Sequence, residues 1–225
     1  MKVLVVDVGG THIKISIAGS RSVRKLDSGP DLTAARMVRA VIPATVDWPH
    51  DVVSIGYPAP VRDGRPLHEP HNLGGGWRRF DFAKAFGCPV RIVNDAAMQA
   101  LGSYQGGRML FLGLGTGLGS AVIDHGRLEP LELAHLPYRE GKSYEDYLGT
   151  RGLKRVGRSK WRRHVGTVAE LLRAALICDY VVLGGGNVKQ MDAMPPGCRR
   201  GNNANAFRGG GRLWTAHETP RRTSR

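Results

Sequence analysis

The sequence predicts an α/β fold made of two related lobes. Apolar, β-branched runs bounded by Gly, Pro or Asp alternate with segments of helical periodicity, a pattern typical of sheets covered by helices. A strand, a Gly/Thr-rich turn and a second strand occur at Val3–Ala18 and recur about a hundred residues later at Met109–Ile123. The repeat predicts one such hairpin in each lobe.

Seven strands and four helices follow from this pattern. The strands are predicted at Val3–Val8, Ile13–Ala18, Val52–Gly56, Val90–Val93, Met109–Leu114, Gly119–Ile123 and Tyr180–Leu183. The helices are predicted at Leu32–Ile42, Ala96–Tyr104, Val165–Ile177 and Ala204–Leu213. No Pro/Gly-rich linker separates the lobes, so we place their boundary near Gln105–Gly107. This gives an N-terminal lobe over 1–106, a C-terminal lobe over 107–215 whose last helix packs back on the first lobe, and a flexible basic tail over 216–225.

Length and composition exclude several classes of protein. With 225 residues, 41% of them hydrophobic, the chain can form a core in one large domain or two small lobes. No apolar run approaches the roughly 18 residues of a membrane span. The three cysteines, Cys88, Cys178 and Cys198, are an odd number without paired spacing. They favour a reduced cytoplasmic protein over a disulfide framework or a zinc knuckle.

The first hairpin, Asp7–Lys14, carries the residues of a phosphate site. Its adjacent glycines let backbone N–H groups face one point, which is how a phosphate oxygen is bound. Thr11 adds a hydroxyl donor, Lys14 adds a cation, and Asp7 could hold Mg²⁺ directly or through water. The alternative is an ordinary Gly-Gly turn, but such a turn requires neither the Asp nor the Thr.

Two further glycine runs predict additional contacts with phosphate or nucleotide. The second hairpin, Gly113–Gly119, has glycine at every second position, so one face is bare backbone. The run Gly184–Asn187 follows a buried strand and opens a helical pattern, where the backbone could approach a nucleotide closely. Tight β-turns and simple strand-to-helix turns are the structural alternatives.

A strand ending in Asn94-Asp95 leads directly into a predicted helix. An Asp at a helix start is most often a cap. Phosphoryl transfer to a hydroxyl, however, needs one positioned carboxylate to accept the proton and little other covalent help. Asn94 could hydrogen-bond a neighbouring hydroxyl.

Two further segments contain polar residues suited to a ligand. Glu132 and His135 lie three residues apart, on one helical turn or a tight bend, and Ser143–Tyr147 resembles a helix start with acids in its first turn. By themselves these are weak signals.

The net charge of +14 is concentrated in two segments. Residues 151–164 contain seven Lys or Arg and no acid, and residues 199–225 contain seven Arg and Glu218 as their one acid. The first segment would suit a polyanion, although a solvated helix face is the alternative. A linear polyphosphate needs a row of cations beyond a local phosphate site, and this prediction concerns Lys154, Arg155, Arg158, Lys160, Arg162 and Arg163.

Together these motifs resemble the ROK family of sugar kinases, which belongs to the actin/hexokinase/Hsp70 superfamily. The resemblance extends from Lys2 to about Trp214. It includes Pro70–Trp77, which is similar to the family's Pro-Asn-Leu-x-Gly-Trp loop with altered spacing. Glu145–Gly149, with Leu153, Gly157 and Trp161 after it, is most similar to the polyphosphate glucokinase branch. The resemblance implies a two-lobed actin-like (ribonuclease H-like) ATPase fold with a central cleft.

The resemblance also implies residue roles. Asp95 would be the catalytic base for the sugar 6-hydroxyl. The glucose-binding residues would be Asn72, Asn94, Asp95, Glu132, His135 and Glu145. Phosphate or nucleotide would be bound by Asp7, Gly9, Gly10, Thr11, Lys14, Gly115, Thr116, Gly117, Gly184, Gly185, Gly186 and Asn187, with Asp7 on Mg²⁺. Position 134 is Ala where much of the family has Gly, which could tilt His135.

The implied activity is that of a glucokinase using Mg²⁺ with polyphosphate, ATP or both. A homodimer is expected, with no membrane partner. No zinc is expected, because Tyr138–Tyr144 has no cysteine where many members carry a Cys-rich motif.

An ATP-only kinase for another hexose is the alternative within the family. A sugar-sensing regulator is disfavoured because the hairpin begins at residue 7, which leaves no space for a winged helix. A nucleic-acid-binding protein is disfavoured because no known module or aromatic interleaving accompanies the basic clusters.

Overall fold

Two five-stranded mixed sheets form the framework of the computed structural model, which describes residues 1–215. The first sheet contains β1 (Val3–Val8), β2 (His12–Ile17), β3 (Arg24–Asp27), β4 (Val52–Tyr57) and β7 (Val90–Asn94), in the order β3-β2-β1-β4-β7. The second contains β8 (Arg108–Leu114), β9 (Leu118–Asp124), β10 (Arg127–Leu131), β13 (Tyr180–Gly184) and β14 (Cys198–Arg200), in the order β10-β9-β8-β13-β14. Two short hairpins pair β5 (Val61–Arg62) with β6 (Arg65–Pro66) and β11 (Pro137–Arg139) with β12 (Lys142–Ser143).

The two sheets share one local topology. In the first, β1 pairs antiparallel with β2 and parallel with β4; in the second, β8 pairs antiparallel with β9 and parallel with β13. A glycine-rich tip joins each antiparallel pair. The predicted repeat of related halves and the two-lobed actin-like fold are therefore confirmed.

Seven α-helices and one 3₁₀ segment surround the sheets within residues 1–215. They are α1 (Ala34–Ala44), α2 (Phe82–Phe86), α3 (Asp95–Ser103), α4 (Tyr144–Leu148), α5 (Thr150–Val156), α6 (Arg158–Ala175), the 3₁₀ segment Gly186–Gln190 and α7 (Asn205–Arg212). One apolar cluster around Trp77 supports the first sheet, and another around Trp161 supports the second. Within this part of the chain, no helix combines the length and apolar character needed to cross a bilayer.

Two helices, α3 and α7, cross between the sheets at very close range. A Cβ atom at Gly102 of α3 would lie 1.8 Å from the Asn205 carbonyl oxygen, so only glycine permits this approach. From the other side, a Cβ at Gly209 of α7 would lie 1.8 Å from the Met98 carbonyl oxygen. The helix α7 also reaches the first sheet, where Ser54 Oγ donates to the Gly210 carbonyl oxygen at 2.7 Å.

Most predicted elements lie within one or two residues of the observed ones. The clearest difference is the helix predicted at Val165–Ile177, which begins seven residues earlier, at Arg158. Gly157, with φ of 76°, ends α5 and starts α6, so the basic segment is helical instead of preceding the helix. The edge strands β3, β10 and β14 were not predicted, because they are short and largely polar. The predicted boundary near Gln105–Gly107 falls between α3 and β8, and the predicted tail over 216–225 lies outside the described residues.

Candidate active site

The acidic half of the site lies at the carboxyl ends of β1, β4 and β7. These strands run parallel in the first sheet, so their ends meet at one edge, where ligands of open α/β sheets bind. Asp7 is the next-to-last residue of β1, and Asp95 follows β7 as the first residue of α3. The Asp7 Oδ1 atom lies 3.4 Å from where a Cβ would stand at Gly56, on the neighbouring strand β4. The topology thus brings both carboxylates to one place.

Asn94 positions Asp95. Its Oδ1 accepts the backbone N–H groups of Ala96 at 2.9 Å and Ala97 at 3.3 Å, while its Nδ2 donates to the Ala59 carbonyl oxygen at 3.3 Å. Asn94 is therefore the N-cap of α3 and ties it to the loop after β4. The capping role considered for Asp95 belongs to its neighbour. Asp95 Oδ1 accepts from the same Ala96 N–H at 2.7 Å.

Both aspartates are largely enclosed by protein, and each residue has intermediate solvent exposure. Burial raises the pKa of Asp95 to about 7, and the charges of Asp7 and Glu132 add to the rise. Burial also raises the pKa of Asp7 to about 6, against the lowering effect of Lys14. A carboxyl with a pKa near 7 has the proton affinity required of a general base at neutral pH. Strongly shifted carboxyls in a cleft are typical of functional sites.

Three predicted sugar-binding residues come from the second half of the chain. Glu132 precedes a tight turn in which Leu136 N–H donates to the Leu133 carbonyl oxygen at 3.2 Å, and His135 lies within that turn. The tight bend, and not the helical turn, is therefore the correct alternative. Burial raises the pKa of Glu132, and the charge of Glu145 raises it further. The charges of His135 and His68 lower the same pKa.

Glu145 is fixed in this group by two hydrogen bonds. Its backbone N–H donates to the Ala134 carbonyl oxygen at 3.0 Å, and its Oε2 accepts from Leu118 N–H at 3.2 Å. The predicted helix start is confirmed, because Ser143 caps α4 in a capping box with Asp146.

The loop after β6 reaches the same region from the first half. Asn72 lies beside the first hairpin, since its Cβ is 3.7 Å from where a Cβ would stand at Gly10. Glu69 braces the loop by accepting Trp77 N–H at 3.0 Å, and Tyr57 donates to the His68 carbonyl oxygen at 2.8 Å. His68 was not predicted, although its charge acts on Glu132. No sequence signal distinguished it from the nearby His71.

Each hairpin tip presents backbone donors. Within residues 1–215, the N–H groups of Gly10 and Thr11 in the first tip, and of Thr116 and Gly117 in the second, make no hydrogen bond. Free N–H groups in glycine-rich turns form anion-binding sites. The Gly9 N–H, in contrast, is used inside its own hairpin, where it donates to the His12 carbonyl oxygen at 3.1 Å. Lys14 stands on β2 opposite Asp7.

The second tip is held by residues outside its hairpin. Thr150, the first residue of α5, donates its hydroxyl to the Gly115 carbonyl oxygen at 2.9 Å. Asn187 Nδ2 donates to the same carbonyl and to Thr150 Oγ1, each at 2.9 Å. Asn187 thus joins the third glycine run to the hairpin tip. A Cβ at Gly185, whose φ is 80°, would lie 2.4 Å from the Leu114 carbonyl oxygen, so this junction also requires glycine.

The predicted cation row divides into two groups. The side chains of four cations on α5 and α6 are exposed and make no hydrogen bond or ion pair within residues 1–215; they are Lys154, Arg158, Lys160 and Arg163. Arg162 differs from the prediction, because its guanidinium pairs with Asp192 and donates to the Gln190 carbonyl oxygen. Arg155 stacks on Tyr147, with its Cζ 4.7 Å from the ring centre, and donates to the Asp146 carbonyl oxygen. The first of these cations, Lys154, lies on the helix whose first residue, Thr150, contacts the second hairpin tip.

The described residues contain no cluster of three or more His, Cys, Asp or Glu that could hold a metal. The carboxylates of Asp7 and Asp95 nevertheless fit Mg²⁺, which keeps several waters and is usually bound through one or two carboxylates and substrate phosphates. These residues fit a magnesium ion that arrives with a phosphate donor.

Comparison with known proteins places this geometry in a family. The model of the ROK family matches residues 3–129. An N-acetylmannosamine kinase from Escherichia fergusonii is 31% identical over 144 residues, which cover 57% of this chain and 49% of that protein. The chain spans about half the length of the curated relatives it matches.

Solved structures share the fold. The polyphosphate/ATP-glucomannokinase of Arthrobacter sp. strain KM has a TM-score of 0.80 at 22% identity, covering 96% of this chain and 99% of that one. A ROK family glucokinase from Streptomyces griseus, in complex with glucose and AMPPNP, has a TM-score of 0.75 at 18% identity, with coverage of 95% and 99%.

Proposed function

Because the chain belongs to the ROK family, we propose that it is a sugar kinase that phosphorylates the 6-hydroxyl of glucose. The proposed lobes are residues 1–106 and 107–215, and the reactants would meet between them. Donor phosphates would lie against the two hairpin tips, and the sugar would lie among Asn72, Glu132, His135 and Glu145. Asn94 takes part by holding Asp95.

The observation that carries the proposal is the environment of Asp95. It stands at the start of α3, fixed by the Asn94 cap, close to Asp7 and Glu132. Its pKa of about 7 lets it lose a proton near neutral pH and take one from a sugar hydroxyl. An Asp serving only to cap the helix would not need this burial, because Asn94 already performs the capping.

In the proposed reaction, Asp95 accepts the hydroxyl proton while the sugar oxygen attacks the terminal phosphorus of the donor. The bond between that phosphorus and its bridging oxygen breaks, and the electron pair leaves with the shortened donor. The free N–H groups of Gly10, Thr11, Thr116 and Gly117 hold the charged phosphate oxygens. Lys14 adds a positive charge beside Asp7. Mg²⁺, when bound at Asp7, would neutralise charge on the phosphates.

We propose that polyphosphate serves as a donor in addition to ATP. The four cations without a partner in residues 1–215 lie on α5 and α6, and α5 begins at Thr150, which contacts Gly115 at the second hairpin tip. A chain of phosphates extending past the tip would meet them, whereas the phosphates of ATP would remain at the tips. Arg162 is not included, because Asp192 already neutralises it.

The test is product formation by the purified protein with Mg²⁺. Glucose is supplied with ATP or with long-chain polyphosphate, and glucose 6-phosphate is measured. Product from either donor supports the kinase, and polyphosphate activity equal to or above ATP activity supports the cation row. Absence of product with both donors and with several hexoses contradicts the proposal. Salt-dependent duplex DNA binding in that case would favour the nucleic-acid alternative.

N-acetylmannosamine is the second candidate substrate, because the matching relative from Escherichia fergusonii acts on that sugar. The same assay with N-acetylmannosamine distinguishes the two. A kcat/KM higher for N-acetylmannosamine than for glucose would make N-acetylmannosamine the proposed substrate. The proposed roles of Asp95 and the hairpins would not change.

A further inference from the structure

The Oε1 atom of Gln99 is the one buried side-chain oxygen without a hydrogen-bond partner in residues 1–215. Its Oε1 is buried and unpaired, while the Nε2 of the same amide is not buried and makes no hydrogen bond within that range. An Nε2 group that is not buried and has no protein acceptor can donate to an oxygen atom of a ligand. Gln105, six residues later, is paired, because its Oε1 accepts from Arg199 Nη1 at 2.8 Å.

The position of Gln99 connects it to the site. It lies four residues after Asp95 on α3, so the two side chains share one face of the helix. On the adjoining face, Ala96 packs against the second hairpin, since a Cβ at Gly119 would be 2.6 Å from the Ala96 Cβ. The helix α3 therefore runs from the carboxylates of the first sheet across the strands of the second.

Gln99 meets the second sheet where β13 ends. Its Oε1 lies 3.5 Å from where a Cβ would stand at Gly184, the residue before the Gly185–Asn187 turn. That turn is tied to the second hairpin tip by the Asn187 amide. Glu132, in contrast, acts on Asp95 at the start of the helix. Gln99 thus lies one helical turn from the proton acceptor, on the side of the predicted donor residues.

We propose that Gln99 is a donor-site residue whose accessible Nε2 donates a hydrogen bond to a phosphate of the donor that is not transferred. This inference rests on the proposed kinase function and adds a residue to its donor side. The Nε2 group, which is unpaired in the resting site, gains an acceptor only when the donor is present. Because ATP and polyphosphate both carry non-transferred phosphates, Gln99 should serve both donors equally, unlike the cation row.

The experiment measures steady-state KM values for both donors and for the sugar in Gln99→Ala. We expect the KM of each donor to rise about 10-fold, the size expected for one hydrogen bond to a charged group, while the sugar KM stays within about two-fold. Gln99→Glu, which places a negative charge beside the phosphates, should raise the donor KM further. Gln105→Ala is the matched control and should leave both KM values unchanged.

Several results would overturn the inference. A donor KM unchanged in Gln99→Ala, or equal rises in sugar and donor KM, would show that Gln99 only packs against β13. If Gln99→Ala does not fold, Gln99→Met keeps the side-chain volume and is tested in the same way. Calorimetric binding of Mg²⁺-tripolyphosphate separates the two proposals. Binding that weakens in Gln99→Ala, in a protein that phosphorylates no sugar, keeps this inference and overturns the kinase; no binding by the wild type overturns both.

Discussion

The two hairpins have the same topology but obtain their charged groups in different ways. The first carries its own, since Asp7 on β1 stands opposite Lys14 on β2. The second has no ionisable side chain at its tip and is contacted by other segments, with Glu145 accepting from Leu118 N–H and Thr150 donating to the Gly115 carbonyl oxygen. In the proposed function, the first half would therefore carry the proton transfer, and the second half would bind the donor and help to bind the sugar.

Removal of the proposed base is the strongest test of this division. Asp95→Asn keeps the shape and the hydrogen bond from Ala96 N–H but cannot accept a proton. We expect kcat to fall about 10²- to 10⁴-fold, with donor KM changed little. Steady-state kinetics with glucose and each donor would measure this. A variant that keeps more than about a tenth of wild-type kcat would contradict the role of Asp95.

The same variant has a stability control. The folded-state pKa of Asp95, about 7, lies above its ordinary value of 3.8, so wild-type stability decreases as pH rises between these values. Asp95→Asn lacks that decrease. It should unfold at a higher temperature than the wild type at pH 8 and at a similar one near pH 4, and a lower unfolding temperature at pH 8 would contradict the burial argument.

The pH dependence of kcat/KM is the second test. The base is active when deprotonated, so kcat/KM should rise through pH 7 and fall about 10-fold for each unit below it, about 100-fold by pH 5. The profile should have the same acid limb with ATP and polyphosphate, because both share the acceptor. A flat profile between pH 5 and 8 would show that Asp95 does not set the rate.

Charge reversal in the second half should separate the donors. Changing Lys154, Arg158, Lys160 and Arg163 to Glu should raise the polyphosphate KM about 30-fold and the ATP KM less than about three-fold, because only a long chain reaches these cations. The control carries the same change at four exposed cations of the first half, Arg21, Arg39, Arg62 and Lys84. If both sets of substitutions raised the polyphosphate KM equally, the total charge of the protein, and not the position of these four cations, would explain the effect.

The smallest expected effect tests Glu145 of α4, whose carboxylate accepts a hydrogen bond from Leu118 N–H in the second hairpin. A Cβ at Gly117 would lie 2.4 Å from Glu145 Oε2, so Gly117→Ala should displace that carboxylate with little loss of stability. We expect the sugar KM to rise about 10-fold, because a hydrogen bond to a charged group is lost. In Gly115→Ala, a Cβ meets nothing closer than 4.0 Å, and the sugar KM should stay within about two-fold. An unchanged sugar KM in Gly117→Ala would remove Glu145 from the sugar site.

Local patterns along the chain predict most of the secondary-structure elements and the types of residue at the site. Continuous apolar runs such as Val3–Val8 and Met109–Leu114 identified the buried strands, since such a run is a property of the local chain alone. Glycine-rich turns between such strands identified the two hairpins and, through the family resemblance, the fold. Short polar strands such as Arg24–Asp27 lacked that local pattern, because pairing at the edge of a sheet holds them in place.

Which groups are available for chemistry depends on the tertiary structure. In the sequence, Asn94 and Asp95 are equally good candidates for the N-cap of the following helix. In the structure, the Asn94 amide oxygen caps α3, and Asp95 is enclosed and has a raised pKa. Arg162 and Arg163 are adjacent in one basic run, but Asp192 pairs with the first and leaves the second free. The unpaired Gln99 amide becomes visible only where α3 crosses β13. Availability depends on partners distant in the sequence, because hydrogen bonds and burial join groups that the chain order separates.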